Sequence, residues 1–163
     1  MLADGSAVVQ SGTQDLGTGT YTVMAQLAAD ELGLPIERVR LELGDSRFPQ
    51  APASGGSQTV ASVGPAVVAA CREARDHVFA MALSDRAEQW KGVTPAALTL
   101  QDGVVKGPQG HIGIAEMLAH RNVEMLEFQA GSAPGAERKT HSMHAFAPNS
   151  PKCASIPTPA KSA

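Results

Sequence analysis

The sequence predicts a mixed α/β fold of the α+β kind: short strands and hairpins, with two main helices that each follow a glycine-rich loop. Three observations lead there. Val39, Leu41 and Leu43 alternate with Arg40 and Glu42, the period of a strand with one buried face. Apolar residues recur at helical spacing in two places, Met24 to Leu32 and Val63 to Met81. Asp4-Gly5 and Asp102-Gly103 are the dipeptides that favour hairpin turns. A chain of 163 residues with 16 Gly and 11 Pro is then one loop-rich domain, able to bury about two-thirds of its unfolded surface.

In chain order, Ala7-Val8-Val9 after the first Asp-Gly turn reads as a short buried strand. The small-residue loop Ser11 to Thr20 follows. A helix is predicted from Tyr21 to Leu32, carrying Met24, Leu27, Ala28 and Leu32 inward, with Gly33 as its stop. Next comes the strand Val39 to Leu43. The loop Gly44 to Thr59 is longer than a plain connection, which in compact domains runs about 4–6 residues. A long helix starts near Val60, or at Gly64 if Pro65 forbids the earlier turn, and buries Val63, Val67, Ala70, Cys71, Ala74, Val78 and Met81. Trp90 is expected to close this helix against the domain. Leu98 to Lys106 spells a hairpin, Ala115 to His120 a short helix, and Glu124 to Ala130 a last strand. One body thus spans residues 1–131. From residue 132 to 163 periodicity stops, and Pro148, Pro151, Pro157 and Pro159 mark a linker and disordered tail.

Composition narrows the partners. Thirteen Lys and Arg against 16 Asp and Glu give a net charge of −3, with no basic cluster to hold nucleic acid or an anionic membrane. No apolar run approaches the roughly 20 residues of a membrane span. The opening MLADGSAVVQ lacks a basic region and an apolar core, so no signal peptide is expected. Cys71 and Cys153 make neither a disulfide framework nor a zinc site.

Two stretches stand above this background. Gly17-Thr18-Gly19-Thr20 opens the first helix, and Ser54-Gly55-Gly56-Ser57-Gln58-Thr59 opens the second. The first amides of a helix lack intrahelical partners and carry the positive end of its dipole, which favours an anion. Glycine permits close backbone approach and a positive φ that aims successive N–H groups at one point. Gln14 and Gln26 could add amide contacts. One such loop is ordinary turn chemistry; two in a small domain make an anion cradle the better reading, provided both face one crevice. The pattern is neither a Walker loop nor the dinucleotide fingerprint, since no Gly-Lys-Ser/Thr occurs and the third glycine is missing. Other candidates carry less. His141 and His144 have metal-like spacing without a third ligand, and His77 on the long helix and His111 in a Gly-rich turn read as structural. Asp15 is a turn residue rather than a base, Ser57 and Thr59 lack triad partners, and Cys71 sits on the packing stripe.

The run GTQDLGTGTYTVMAQLAADELGLPIERVRLELGD, followed by PASGGSQTVASVGPAVVAAC, resembles the molybdenum-binding large subunit of the xanthine dehydrogenase/aldehyde oxidase family. The likeness runs from about Ala3 to Phe146, with both loops, both helices and the intervening strand in order. It implies a partial molybdopterin-binding domain, a slice of the second molybdopterin-binding region of a larger subunit. Gly17, Thr18, Gly19 and Thr20 would lie against the pterin; Gly55, Gly56, Ser57, Gln58 and Thr59 would supply contacts near pterin and metal, Gly56 being the small residue that nears the molybdenum centre. No residue here would ligate the metal directly. Thr18 stands where many members have Gln, as in a bacterial branch of aldehyde dehydrogenases, which points to the cytosine dinucleotide form of the cofactor. The implied activity hydroxylates an aldehyde or N-heterocycle with oxygen from water and passes electrons to iron–sulfur and FAD partner subunits or domains. The family's glutamate base lies beyond this chain, so no catalytic residue is expected and the chain alone should be inactive. A cytoplasmic location follows, with a periplasmic parent enzyme as the alternative. The rivals are a noncatalytic module binding a phosphate ligand or a protein, and a nonfunctional truncated product.

The tail has an expectation of its own. Restoring one nucleotide after the Phe146 codon converts APNSPKCASIPTPAKSA into GAQFAEVRVDPDTGEVR, a strand, a turn and a strand start of the family's kind. A frameshifted gene is therefore expected, to be checked by sequencing across that codon.

Overall fold

A computed structural model describes residues 1–133 and 135. The elements run β1 (Ala7–Ser11), α1 (Thr20–Leu32), β2 (Val39–Leu43), α2 (Thr59–Asp85), β3 (Thr99–Gln101), β4 (Val104–Gly107), β5 (Gly110–Gly113) and α3 (Ile114–His120), with single 3₁₀ turns at Ile36–Arg38 and Pro95–Ala97. This is the mixed α/β arrangement read from the sequence.

β1 and β2 pair in parallel, Ala7 opposite Val39 through Ser11 opposite Leu43. Parallel neighbours need a crossover, and α1 is that crossover. It ends where Gly33 takes the left-handed conformation (φ 55°, ψ 38°). The Leu34 N–H then reaches the Ala29 carbonyl and the Gly33 N–H the Asp30 carbonyl, a Schellman cap with Leu34 and Ala29 buried together. β3, β4 and β5 form an antiparallel meander whose first turn places Asp102 at φ 54° and Gly103 at φ 76°, the left-handed pair that a tight hairpin requires. Met24, Ala28 and Leu32 of α1 join Val63, Val67, Cys71, Ala74, Val78 and Met81 of α2 in one core. Trp90 is buried beyond the end of α2 and donates from Nε1 to the Gln109 carbonyl at 3.3 Å.

α2 begins at Thr59, beside the start expected near Val60, and Pro65 lies inside it; the proline ring faces solvent and its missing N–H removes only one bond of the ladder, so the alternative start at Gly64 is not taken. Two details differ from the sequence reading. His111 sits on the strand β5, not in a turn, because the turn is confined to the two residues between Gly107 and Gly110. The strand expected over Glu124 to Ala130 is not formed. That segment keeps its alternation, with Leu126, Phe128 and Ala130 half-buried, but its partner is only the chain start. Met1 and Leu126 exchange N–H···O bonds at 2.7 and 2.9 Å and Ala3 donates to Glu124 at 2.9 Å. Beyond that the Asp4-Gly5 turn carries the partner away, leaving one isolated bridge, Leu2 to Met125.

Candidate functional site

Because β1 and β2 are parallel, their carboxyl ends lie at the same side, and each leads through a glycine-rich loop to a helix. The packing of the helices follows. Leu27 Cδ1 of α1 lies 3.2 Å from where a Cβ on Gly64 would sit. One turn further along α1, Glu31 holds Arg72 of α2, at 2.9 Å to Nη2 and 3.2 Å to Nε, and Arg75 at 3.2 Å. Contacts therefore advance in the same direction on both helices. α1 and α2 run parallel, with both N-termini at one end.

The loops are tied there as well. The Gly12 N–H donates to the Pro49 carbonyl at 2.8 Å, and the Ser54 N–H donates to Gln14 Oε1 at 3.0 Å. Gln14 thus serves as a strut between loops. Gln26 lies elsewhere, lining a groove of about 650 Å³ with Val23, Leu34, Ile36, Gln101 and Asp102 on the hairpin side of α1.

Each helix opens on a buried threonine whose hydroxyl meets one from its loop. Thr20 Oγ1 is 3.2 Å from Thr18 Oγ1, and Thr59 Oγ1 is 2.7 Å from Ser54 Oγ. Gly17 and Gly19 are left-handed (φ 87° and 78°), as are Gly56 and Ser57 (φ 58° and 57°). Nothing lies within 4 Å of the place a Cβ would take on Gly17, Gly19, Gly55 or Gly56, so these faces are bare. Gln58 is the residue from which α2 starts: its N–H donates to Gly55 at 3.2 Å and its carbonyl accepts from the Ser62 N–H at 2.9 Å. The N–H groups of Thr59, Val60 and Ala61 have no protein acceptor among the described residues.

The first loop has a partner the sequence did not disclose. Asp15 Oδ1 accepts the N–H groups of Gly17 and Thr18 at 2.8 and 2.9 Å, and Oδ2 that of Tyr21 at 3.3 Å. Partial burial works against its charge, but the N–H groups of Tyr21, Thr18, Gly17 and Thr20 outweigh it and hold the carboxyl below the ordinary carboxylate pKa. Asp15 is the turn residue expected, and the helix cap besides.

Two of the lesser candidates lie along α2, beyond its first turns. His77 tilts against Phe128, ring centroids 5.5 Å apart. Cys71 is buried, and burial first, then the Glu31 charge, pushes its thiol pKa up to about 11. His141, His144, Cys153 and the Pro-rich tail lie outside the described residues. Among the described residues, no three His, Cys, Asp or Glu side chains cluster as metal ligands, and no helix is long and apolar enough to cross a membrane.

Comparison with known proteins bears on this geometry. The molybdenum-binding subunit PaoC of an aldehyde oxidoreductase from Escherichia coli is 41% identical over 75 residues, 46% of this chain and 10% of PaoC. The nicotine 6-hydroxylase large subunit of Paenarthrobacter nicotinovorans is 26% identical over 140 residues, 84% of this chain and 17% of that one. The carbon monoxide dehydrogenase large chain of Hydrogenophaga pseudoflava is 39% identical over 70 residues, 42% of this chain and 9% of its own length. The present chain thus spans 9% to 17% of the length of these relatives. In fold, it resembles quinoline 2-oxidoreductase from Pseudomonas putida 86 (TM-score 0.61, 22% identity, 71% of this chain and 14% of that chain). It also resembles CO dehydrogenase from Oligotropha carboxidovorans (TM-score 0.58, 23% identity, 68% and 14%). Residues 1–154 match the molybdopterin cofactor-binding domain, and the chain belongs to that family, the molybdopterin-binding subunits of the xanthine dehydrogenase/aldehyde oxidase group.

Proposed function

We propose that this chain forms one wall of the molybdenum cofactor site in an enzyme that hydroxylates aldehydes or N-heterocycles with oxygen from water. The observation that carries it is the parallel packing of α1 and α2, which puts both glycine-rich loops at the same end, joined through Gln14 and Ser54. The loops suit a pterin that bears a phosphate. Their glycine faces are bare, the first amides of α2 have no protein acceptor among the described residues, and hydroxyls flank both helix starts. Gly17, Thr18, Gly19 and Thr20 would hold the cofactor from one side and Gly55, Gly56, Ser57, Gln58 and Thr59 from the other. When bound, the group supplies the redox chemistry; these residues bind it, orient it and exclude water from its face.

The chain holds one side of that group only, so it is expected to show little or no turnover by itself, because a cofactor without its opposite wall lacks preorganisation. The rest of a large subunit and iron–sulfur and FAD partners complete this reading, with the cytosine dinucleotide form of the cofactor and a cytoplasmic setting. The domain occupies residues 1–131, and residues 132–163 are the linker and the frameshifted tail.

Molybdenum and pterin content tests it. In an intact large subunit of the family, the change matching Gly56→Val should abolish both, since it adds a branched side chain at a left-handed position and fills the bare face. The change matching His144→Ala should leave both at wild-type levels. Full molybdenum and pterin in the valine variant would overturn the proposal, and phosphate binding without either would favour the noncatalytic module.

A further inference from the structure

The Asp4-Gly5 turn belongs to a hairpin whose two arms are unequal. The Gly5 N–H donates to the Leu2 carbonyl at 2.9 Å and the Leu2 N–H to the Ser6 carbonyl at 2.8 Å, with Gly5 left-handed at φ 79°. This is a short hairpin loop closed by a glycine bulge. Its outgoing arm is β1. Its incoming arm is Met1 and Leu2, which pair on both sides: Leu2 with Ser6, and Met1 with Leu126 around the antiparallel bridge from Leu2 to Met125. Past Met1 both neighbours continue without a strand between them. The Gly44 N–H donates to the Ser11 carbonyl, which fixes the parity of β1: Ala7, Val9 and Ser11 turn their backbone groups to β2, and Val8 and Gln10 turn theirs to the outer edge. Neither has a backbone partner there among the described residues, and the edge closes only at Gly12, whose N–H donates to Pro49. On the far side Phe128 and Ala130 follow Leu126 at its parity, again without a backbone partner among the described residues. Both borders run toward the glycine-rich loops. β1 leads into the first, and the other border reaches Ser132, whose Oγ donates to the Ser62 carbonyl where α2 opens.

We propose that the slot between β1 and residues 126–130 receives one extended strand from the remainder of the large subunit, antiparallel to both borders and in line with Leu2 and Met1. This rests on the reading of the chain as one wall of a larger subunit, since it spans 9% to 17% of the length of its relatives. At Leu2 the slot holds a single strand, which sets its width. A parallel pair such as β1 and β2 is ordinarily the inner part of a larger covered sheet, and two strands alone are marginal. The edge is also unguarded: β1 reads Ala-Val-Val-Gln-Ser, without the Lys or Pro that blunts an edge left open to water. An added strand would give the order β2, β1, guest, residues 124–130. It would supply the ladder that the half-buried alternation of Leu126, Phe128 and Ala130 lacks.

Amide exchange of the ¹⁵N-labelled full chain, read by NMR, tests this with and without the segment Thr-Val-Thr-Val-Thr placed directly before Met1. The alternation puts its valines on the buried face of Met1. In the unextended chain the Val8 and Gln10 amides should exchange roughly tenfold or more faster than those of Val9 and Ser11. The added segment should slow Val8, Gln10 and Phe128 by about tenfold, and a Gly-Ser segment of equal length should not. In an intact large subunit of the family, the stretch matching residues 8–10 should be protected throughout. Val8 and Gln10 already as protected as Val9 and Ser11 would overturn the proposal, as would an alternating segment no better than Gly-Ser. Rapid exchange at the matching stretch of the intact subunit would do the same. Protection that grows with protein concentration, together with a dimer in sedimentation, would give the slot to a second copy and overturn the assignment to the subunit. Molybdenum and pterin content enter none of these measurements, so failure here and failure of the cofactor reading are separable.

Discussion

Replacing Gly33 by alanine should be the most damaging single-methyl change in this chain. Gly33 terminates α1 at φ 55°, and a residue with a Cβ is penalised in the left-handed region by about 1–2 kcal/mol. The second penalty is contact. The added Cβ would stand 2.7 Å from the Leu100 carbonyl carbon and nearer still to its oxygen, so β3 must move away; forcing atoms into a packed site costs about 1–3 kcal/mol. Together the change should cost roughly 3 kcal/mol, a large share of the 5–15 kcal/mol typical of a domain. With a urea slope of about 2 kcal/mol per molar, the midpoint should fall by about 1.5 M. Gly92→Ala is the control: its φ of 80° imposes the conformational penalty, but nothing lies within 4 Å of its Cβ position. Urea unfolding followed by far-ultraviolet circular dichroism measures both. Equal losses in the two variants would refute the contact half of the reasoning, and a loss below about 1 kcal/mol for Gly33→Ala would refute all of it.

Other outcomes are equally open to measurement. The guanidinium of Arg72, opposed by partial burial and assisted by Arg75, holds the Glu31 carboxyl below its ordinary pKa of 4.5, so its contribution to stability is present above pH 4.5 and fades as pH falls through the lower folded value. The stability gap between wild type and Glu31→Gln should therefore narrow on acidification below pH 4.5, and a gap constant from pH 6 to pH 3 would contradict the pairing. Cys71, with a thiol pKa of about 11 and little exposure, should resist a thiol-specific disulfide reagent at pH 8 and react at once in denaturant. Gly107→Ala would place a Cβ 2.7 Å from Trp90 Cε2, so it should displace the ring and red-shift its fluorescence relative to the wild type.

The parts of this fold that were legible from sequence are those fixed by near neighbours. Gly33 announced the end of α1, and Asp102-Gly103 announced a hairpin whose φ angles are the ones that pair provides. The alternation of Val39, Leu41 and Leu43 announced β2. What failed depended on distant partners. The alternating stretch Glu124 to Ala130 has the pattern of a strand, but a strand needs a ladder, and only Met1 to Ala3 faces it. β5 was hidden because glycines at both ends made the segment around His111 look like a turn. At the site, the loops were visible as glycine-rich runs, while the bond from Ser54 to Gln14 spans 40 residues and leaves no periodic trace. The engagement of Asp15 with Gly17, Thr18 and Tyr21 is local, and the spacing of an acid just ahead of a glycine turn and helix start was a signal that could have disclosed it.

The position of the loops is a consequence of topology more than of glycine content. Once β1 and β2 pair in parallel, their carboxyl ends coincide, and every helix that follows a strand must begin at that side. α1 has to run back to return the chain to β2, and α2, which starts at Thr59 after the long loop that leaves β2 at Leu43, runs the same way as α1. The clamp of Glu31 on Arg72 and Arg75 then fixes the spacing of two helices whose dipoles point alike. Two parallel helices set their positive ends together, an unfavourable arrangement unless something negative lies there. In the first loop Asp15 supplies that charge from within. In the second, no carboxylate among the described residues accepts from the first turn of α2. The asymmetry between the loops is thus one of acceptors: Asp15 takes up amides of the first loop from within, while the first amides of α2 have no protein acceptor among the described residues.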